Sequence, residues 1–153
     1  MAVLTVSKVR NKRLPPSGLF TAEMQMAGIT ETIYKGSIVF SDASVSDGFV
    51  RALPSGNADA ADIFVGIALE EKSIVSTEAD GDRVITVAIN GHWGFAVGSL
   101  AITDLGAPAY ASDDDTITTT SSNNQWVGFI VDRDADFIWV DISQAVFRTN
   151  SAT

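Results

Sequence analysis

The sequence predicts an all-β protein, a small antiparallel β-sandwich or barrel with an extended N-terminal arm. Three observations support this class. Turn signals recur about every 8–12 residues, which is the rhythm of short antiparallel strands. Val, Ile, Thr, Ser and Gly are abundant, whereas the residues that fill helix surfaces are sparse. Apolar runs at 63–69 and 126–131 have the length of single strands, and the apolar pattern at 83–97 is divided by a turn signal, as in a strand pair.

The length and composition predict one domain. The chain has 153 residues, of which 46% are hydrophobic and 19% charged, enough to form a core without metals or disulfides. Cysteine is absent, which excludes disulfides, thiol catalysis and cysteine-bound zinc or iron–sulfur clusters. The proposed boundaries are an arm at 1–20, a β-rich domain at 21–148 and a loose C-terminal tail at 149–153.

Charge is unevenly distributed along the chain. Four of the ten basic residues lie within residues 1–13, where there is no acid, so this part carries +4. The rest, with 6 basic and 19 acidic residues, carries −13. An acidic body repels phosphate backbones, which argues against a nucleic-acid partner. The absence of an apolar stretch of about 18–20 residues argues against a membrane partner, and no signal peptide is evident, so we expect synthesis in the cytoplasm.

The N-terminal arm begins with β-forming residues, continues through the basic cluster and reaches Pro15-Pro16. Two prolines fix an extended backbone and remove hydrogen-bond donors, so the segment is not a sheet-interior strand. One interpretation is a frayed terminus; the other is an arm that docks on a partner. The second interpretation assigns docking to seven apolar or basic residues: Val3, Leu4, Val6, Lys8, Arg10, Lys12 and Arg13.

The first half of the body contains several short predicted strands. Residues 22–32 are a helical turn or an extended piece, and the spacing of Met24 and Met26 favours the second. Residues 33–40 form a strand that is entered near Gly36, and residues 48–53 form another. Residues 63–69 are the next strand and contain a Val-Gly pair.

The central prediction is a hairpin over residues 83–97. β-Branched residues alternate up to Asn90-Gly91, and Trp93 and Phe95 resume the apolar pattern beyond it. Asn-Gly between two such runs is a strong hairpin signal, because both residues tolerate the positive φ of a type I′ turn. The hairpin and the strands at 63–69 and 126–131 are expected to pack around one hydrophobic core.

The second half repeats the pattern of short strands and polar turns. Residues 109–111 form a short strand and residues 116–120 a threonine-rich one, with Asp113, Asp114 and Asp115 as a solvated turn between them. Residues 126–131 and 137–142 form the last strand pair, which is closed by an acidic turn at 132–136.

No residue pattern predicts catalysis, a cofactor or a metal. Asp132, Asp134 and Asp136 resemble the start of a calcium loop, but the glycine and glutamate that an EF-hand needs later are absent. His92 is the single histidine, and a turn histidine beside a buried tryptophan is the simpler interpretation. The large aromatic residues are assigned to core or interface packing: Trp93, Phe95, Trp126 and Trp139.

Five short motifs, in this order, resemble a family of tailed-phage capsid decoration, or cement, proteins. The resemblance covers roughly residues 33–142, and its order and spacing carry more weight than any single motif. Ala109 before Tyr110 is a departure, since a branched apolar residue is more usual there. The motifs are Ile33-Tyr34-Lys35-Gly36-Ser37-Ile38-Val39, Phe64-Val65-Gly66-Ile67-Ala68-Leu69, Asn90-Gly91-His92-Trp93-Gly94, Leu105-Gly106-Ala107-Pro108-Ala109-Tyr110-Ala111-Ser112 and Trp126-Val127-Gly128-Phe129-Ile130.

The resemblance implies a small β-sandwich or β-tulip body on the outside of an assembled phage head. It further implies the major capsid protein as partner, a homotrimer, and an N-terminal segment laid on the shell. Two rival functions remain: a carbohydrate- or surface-binding module of the fibre or adhesion type that uses the tryptophans, and a hydrolase that uses His92. The first requires an exposed aromatic row. The second requires a carboxylate and a nucleophile on either side of His92.

Overall fold

A computed structural model describes residues 3–44, 48–54, 59, 61–75 and 77–149. It confirms the all-β class: in this part of the chain the secondary structure consists of strands and one 3₁₀ turn at Ile102–Asp104. The strands are β1 Lys12–Arg13, β2 Thr21–Gln25, β3 Glu31–Ile33, β4 Ile38–Ser41, β5 Val50–Ala52, β6 Ile63–Ala68, β7 Lys72–Ile74, β8 Val84–Ala88, β9 His92–Ala96, β10 Pro108–Ala111, β11 Ile117–Thr118, β12 Gln125–Arg133 and β13 Phe137–Asp141.

The strands form three antiparallel sheets. Sheet A has the order β1-β9-β13-β12-β10-β11, sheet B the order β2-β8-β6-β4-β5, and sheet C consists of β3 and β7. Sheets A and B face each other across the main core, to which β6 and β12 contribute the aromatic rings of Phe64 and Trp126. A second core, built around Val39, Val65 and Val87, lies on the other face of sheet B. Sheet B is therefore covered on both faces, which is why β6 is a continuous apolar run and not an alternating one.

Sheets A and B repeat one topology. In chain order, β2, β4, β5, β6 and β8 of sheet B correspond to β9, β10, β11, β12 and β13 of sheet A. Corresponding strands have corresponding neighbours, and β1, which pairs with β9, is the one addition in sheet A among the described strands. The pairing register of the strands is also the same in the two sheets. The equivalent pairs are Thr21–Ala88 with His92–Asp141, Ile67–Ala88 with Phe129–Asp141, Val39–Gly66 with Ala109–Gly128, and Phe40–Phe64 with Tyr110–Trp126.

Each half of the repeat carries the same β-bulge. In β6 the ladder to β4 skips Val65, and in β12 the ladder to β10 skips Val127. The glycine that follows has φ 152° at Gly66 and φ 147° at Gly128, a conformation that other residues rarely adopt. The two Val-Gly pairs of the sequence therefore mark equivalent bulges, which strengthen the twist of each sheet.

The hairpin prediction for residues 83–97 is wrong. β8 belongs to sheet B and β9 to sheet A, so the chain passes from one sheet to the other at Asn90-Gly91. β8 is paired with β2 and β6, and β9 with β1 and β13, so neither has an edge left for the other. Asn90 instead binds the arm: its side chain accepts from Phe20 N and donates to Gly18 O. The local signal correctly marks a turn but does not specify which strands pair.

Four other sequence predictions have mixed outcomes. The strand predicted at 33–40 is two strands in different sheets, β3 and β4, because a turn at Tyr34–Ser37 separates them. The extended interpretation of residues 22–32 is confirmed by β2, and the last strand pair is confirmed by β12 and β13. The predicted tail lies outside the described residues except Thr149, which bridges to Ile63.

Candidate docking surface

The acidic turn between β10 and β11 anchors the N-terminal arm. The prediction that this turn is solvated is wrong: Asp113 and Asp114 are buried. Asp114 accepts hydrogen bonds from Leu4 N at 2.8 Å and Ser37 Oγ at 2.9 Å. Asp115 lies 2.6 Å from Lys8 Nζ and 2.7 Å from an Arg10 guanidinium nitrogen. Two of the three successive carboxyl groups, Asp114 and Asp115, thus contact the arm, whereas Asp113 accepts from Asp115 N. The charge complementarity of Asp115 with Lys8 and Arg10 offsets part of the cost of burying it.

Arg10 is the most deeply buried residue of the arm, with an exposed fraction of 5%. Its guanidinium donates to Gly36 O from two nitrogens, at 3.0 and 2.7 Å, and to Gly94 O at 3.1 Å. It also lies 4.0 Å from the centre of the Phe95 ring. Burial lowers the pKa of Arg10, and the Asp115 carboxylate opposes this shift. The charge is therefore paired, hydrogen-bonded and stacked at once, as a buried guanidinium requires.

The arm lies on the body with a period of three residues. Leu4, Ser7 and Arg10 face the body, and Ser7 Oγ accepts from Lys35 N at 2.9 Å. The intervening valines face outward, and the exposed fraction is 65% at Val6 and 74% at Val9. A three-residue period is typical of an extended polyproline-type chain and not of a strand. The exposed residues Val3, Val6 and Val9 are called the valine row below.

The seven residues predicted to dock on a partner therefore differ in availability. Val3 and Val6 are exposed, whereas Leu4 and Lys8 are half-buried. Arg10 is buried in the body and cannot reach a partner in this conformation. Lys12 and Arg13 form β1 on the edge of sheet A. The docking role of the seven residues stays a prediction. Val9 was not among them, although it is the most exposed member of the valine row.

The four large aromatic residues assigned to core or interface are all buried. Trp93 and Trp126 donate their indole N–H groups to Asn90 O and Gly128 O, each at 2.9 Å. Trp139 is covered by the Arg13 guanidinium, 3.8 Å from its ring, and donates to Asp134 at 3.0 Å. These tryptophans provide no exposed aromatic row for a sugar ring.

His92 lines an open groove of about 680 Å³ between the arm and the two sheets. Its Nε2 atom lies 3.9 Å from Asp141 Oδ2, which is beyond hydrogen-bond distance. The nearby Ser143 hydroxyl donates to Asp141 Oδ1 at 2.6 Å. The serine is thus bonded to the carboxylate and not to the imidazole, so the order of groups differs from that of a Ser-His-Asp triad.

Several other carboxylate groups have structural partners. Asp132, near the end of β12, pairs with Arg13 at 2.6 Å, and Asp134, in the turn that follows, accepts from Phe137 N at 2.8 Å. A further group of acids comprises Asp42, Asp59 and Asp62, and Asp62 accepts backbone amides at 2.8 and 2.7 Å. In the described part of the chain, no helix has the length and apolar character needed to cross a membrane.

Two carboxyl groups, of the buried Asp114 and the half-buried Glu31, are costly to ionise in the folded protein. Burial raises the pKa of Asp114 to about 6, although its bonds from Leu4 and Ser37 oppose the shift. Burial also raises the pKa of Glu31 to about 7, against the opposing hydrogen bond from Ala52 N. The second oxygen of Glu31 is buried with no hydrogen-bond partner among the described residues. Charge at these positions therefore opposes folding at neutral pH.

We expect Glu31→Gln to flatten the pH dependence of stability. The carboxyl titrates near 4.5 in the unfolded chain and near 7 in the folded one, so the folded protein binds this proton more tightly. The free energy of unfolding consequently falls as pH rises from about 4.5 to about 7. The substitution removes this contribution, which is about 3 kcal/mol. Urea denaturation at the two ends of that range measures it.

Glu78→Gln is the matched control, because it acts in the opposite direction. The Arg83 guanidinium lowers the pKa of Glu78, so its ionised form favours the folded state at neutral pH and that contribution is lost at acidic pH. An unchanged pH dependence in Glu31→Gln would show that Glu31 is solvated in the folded protein.

Comparisons with known proteins add no assignment. Neither the family models, nor the curated proteins, nor the solved structures gave a match to this chain. The resemblance to decoration proteins therefore rests on the five sequence motifs alone.

Proposed function

We propose that this chain is a capsid decoration protein of a tailed phage. It binds the outer surface of the expanded head through its N-terminal arm and stabilises the head against internal genome pressure. The major capsid protein is its partner, and the protein acts as a homotrimer on the virion surface. It performs no catalysis and needs no cofactor.

The observation that carries this proposal is the outward valine row on an anchored arm. An exposed row of branched apolar residues costs solubility and has no role in the core. The arm presents this row in a fixed position because Arg10 and the acidic turn hold the opposite side. The rest of the chain is strongly acidic, which keeps a densely packed external protein soluble and away from nucleic acid.

The binding free energy that one arm contributes is modest, so the stabilisation of the head depends on the number of copies bound. Moving one exposed valine out of water contributes about 1.5 kcal/mol, and the row contains three. A trimer that engages three arms gains avidity without new contacts. Because binding to the expanded shell but not to the procapsid shifts the balance between the two states, many copies together stabilise the expanded one.

Co-sedimentation with phage heads tests the proposal. Purified protein is mixed with expanded heads that lack it and, separately, with unexpanded procapsids. We expect saturable binding to expanded heads alone, at a stoichiometry that reports which symmetry positions are filled. Absence of binding to both particles would refute a decoration role.

The double substitution Val6→Asp/Val9→Asp is expected to weaken head binding by about 100-fold, because two apolar contacts are lost. Folding should be unaffected, since both side chains are exposed. Val75→Asp is the matched control: Val75 is also exposed but lies outside the arm. Equal binding by the two variants would exclude the valine row from the interface.

A further inference from the structure

Within the described residues, the backbone groups on the outer edge of β2 have no hydrogen-bond partner. Phe20 O accepts from Ile89 N, and Met26 N donates to Arg83 O, so these residues bond to β8. Because hydrogen bonding alternates along an antiparallel ladder, the backbone groups of the intervening odd-numbered residues point away from β8. These residues, Thr21, Glu23 and Gln25, are all exposed, and within the described part of the chain no strand pairs with this edge.

The internal repeat shows what kind of segment fits this edge. In sheet A, the strand equivalent to β2 is β9, and its outer edge is covered by β1. Gly94, the residue equivalent to Glu23, donates its N–H to Asn11 O at 2.9 Å. One half of the molecule thus holds an added antiparallel strand at a position where, in the other half, none of the described strands pairs.

Charge favours a basic segment at the outer edge of β2. The strand that covers β9 is basic, and Arg13 lies 2.6 Å from Asp132 near the end of β12 and 3.9 Å from Asp134 in the β12–β13 connection. The equivalent connection in sheet B, residues 69–83, contains five acidic and two basic residues. Glu23 lies on the edge itself, and Glu70 accepts from the N–H of Thr86, the residue opposite Glu23.

An apolar groove continues from the edge. Phe20 directly precedes β2, has an exposed fraction of 51%, and lines the groove beside His92 together with Leu14 and Ile89. A segment that runs antiparallel to β2 reaches this groove with the residues that follow its paired portion. Backbone pairing then supplies affinity, and the groove supplies selectivity for an apolar side chain, as in other strand-addition sites.

A second copy of this chain fits the edge poorly. Full antiparallel pairing of β2 with its own copy places Glu23 opposite Glu23, and like charges at opposed positions destabilise a sheet. The basic arm of a second copy is held by its own body through Arg10. The complementary occupant is therefore a different chain.

We propose that the outer edge of β2 binds an extended basic segment of another protein as an added antiparallel strand, with a following apolar residue in the groove of Phe20. This site is separate from the valine row and does not depend on the decoration role. Its occupant is defined by its chemistry: two or three residues of extended backbone, a basic side chain near Glu23, and an apolar residue after them.

A synthetic peptide that copies residues 8–14, KVRNKRL, is the probe, because it already pairs with the equivalent edge. Binding to the full chain is followed by fluorescence anisotropy and by amide NMR shifts. We expect saturable binding with the largest shifts at Thr21, Glu23 and Gln25, and no binding of the acidic analogue EVENEEL. Glu23→Pro, which removes an outward N–H and leaves the bonds to β8, should weaken binding at least about tenfold.

Glu23→Gln, which keeps the N–H, separates the backbone contribution from the charge and should weaken binding less than Glu23→Pro. Melting curves of both variants confirm that they are folded. Shifts confined to β9, or equal binding by Glu23→Pro and the unsubstituted chain, would mean that the peptide displaces the arm and would refute the site. A dissociation constant weaker than about 1 mM, or self-association of the chain through β2, would also overturn it.

Discussion

Arg10→Met is expected to lower the free energy of unfolding by about 3–5 kcal/mol and to release the N-terminal arm. The substitution removes the donors to Gly36 O and Gly94 O and leaves Asp115 with Lys8 as its remaining partner. Removing one partner of a buried ion pair costs more free energy than the intact pair contributes, because the groups that it had bonded stay buried without a replacement donor. For a domain of this size the melting temperature should fall by roughly 10 °C.

Limited trypsin digestion distinguishes arm release from general destabilisation. In Arg10→Met, cleavage after Lys8, Lys12 and Arg13 should accelerate at temperatures where the body remains folded. Lys12→Met is the control, because Lys12 is exposed and its ammonium lies 6.0 Å from the Trp93 ring; its effect should be within about 0.5 kcal/mol. Equal melting temperatures for the two variants would refute the anchoring role of Arg10.

The anchoring of the arm could not be predicted from the sequence, because its partners are distant along the chain. Leu4 and Asp114 are 110 residues apart, and Arg10 and Asp115 are 105 apart. Three successive aspartates resemble a solvated turn unless the basic segment that faces them is known. The charge contrast between arm and body was visible in the sequence, but it was interpreted as a signal for an external partner, whereas much of it is satisfied within the chain.

Local patterns predicted the strands better than their pairing. The alternation at 84–88 and 92–96 is present as β8 and β9, yet the two strands are in different sheets. Sheet membership depends on which edges remain free, and this is decided by β2, β6, β1 and β13. One feature of the sequence reflects the structural repeat: a Val-Gly pair occurs within an apolar run at Gly66 and again at Gly128.

The second large effect is expected for Gly128→Ala. Gly128 follows the bulge of β12 at φ 147°, and a Cβ at this position would overlap the carbonyl oxygen of Asp141 in β13. The obstacle is backbone, so no side-chain rotation relieves it, and β12 and β13 must move apart. We expect a loss of more than about 4 kcal/mol, the range that marks a disrupted core. Thermal melting and the soluble yield of the variant measure this loss.

The internal repeat makes this prediction more specific. Gly66 occupies the equivalent position in β6, and a Cβ there would overlap Ala88 O of β8, so Gly66→Ala should have a similar effect. Gly98→Ala is the control: Gly98 has φ 55° but open space around it, so only the left-handed backbone costs energy, about 1 kcal/mol. If Gly128→Ala were as stable as Gly98→Ala, the close approach of β12 and β13 would be wrong. If Gly66→Ala and Gly128→Ala differed widely, the two sheets would share a topology without sharing the packing that the bulges impose.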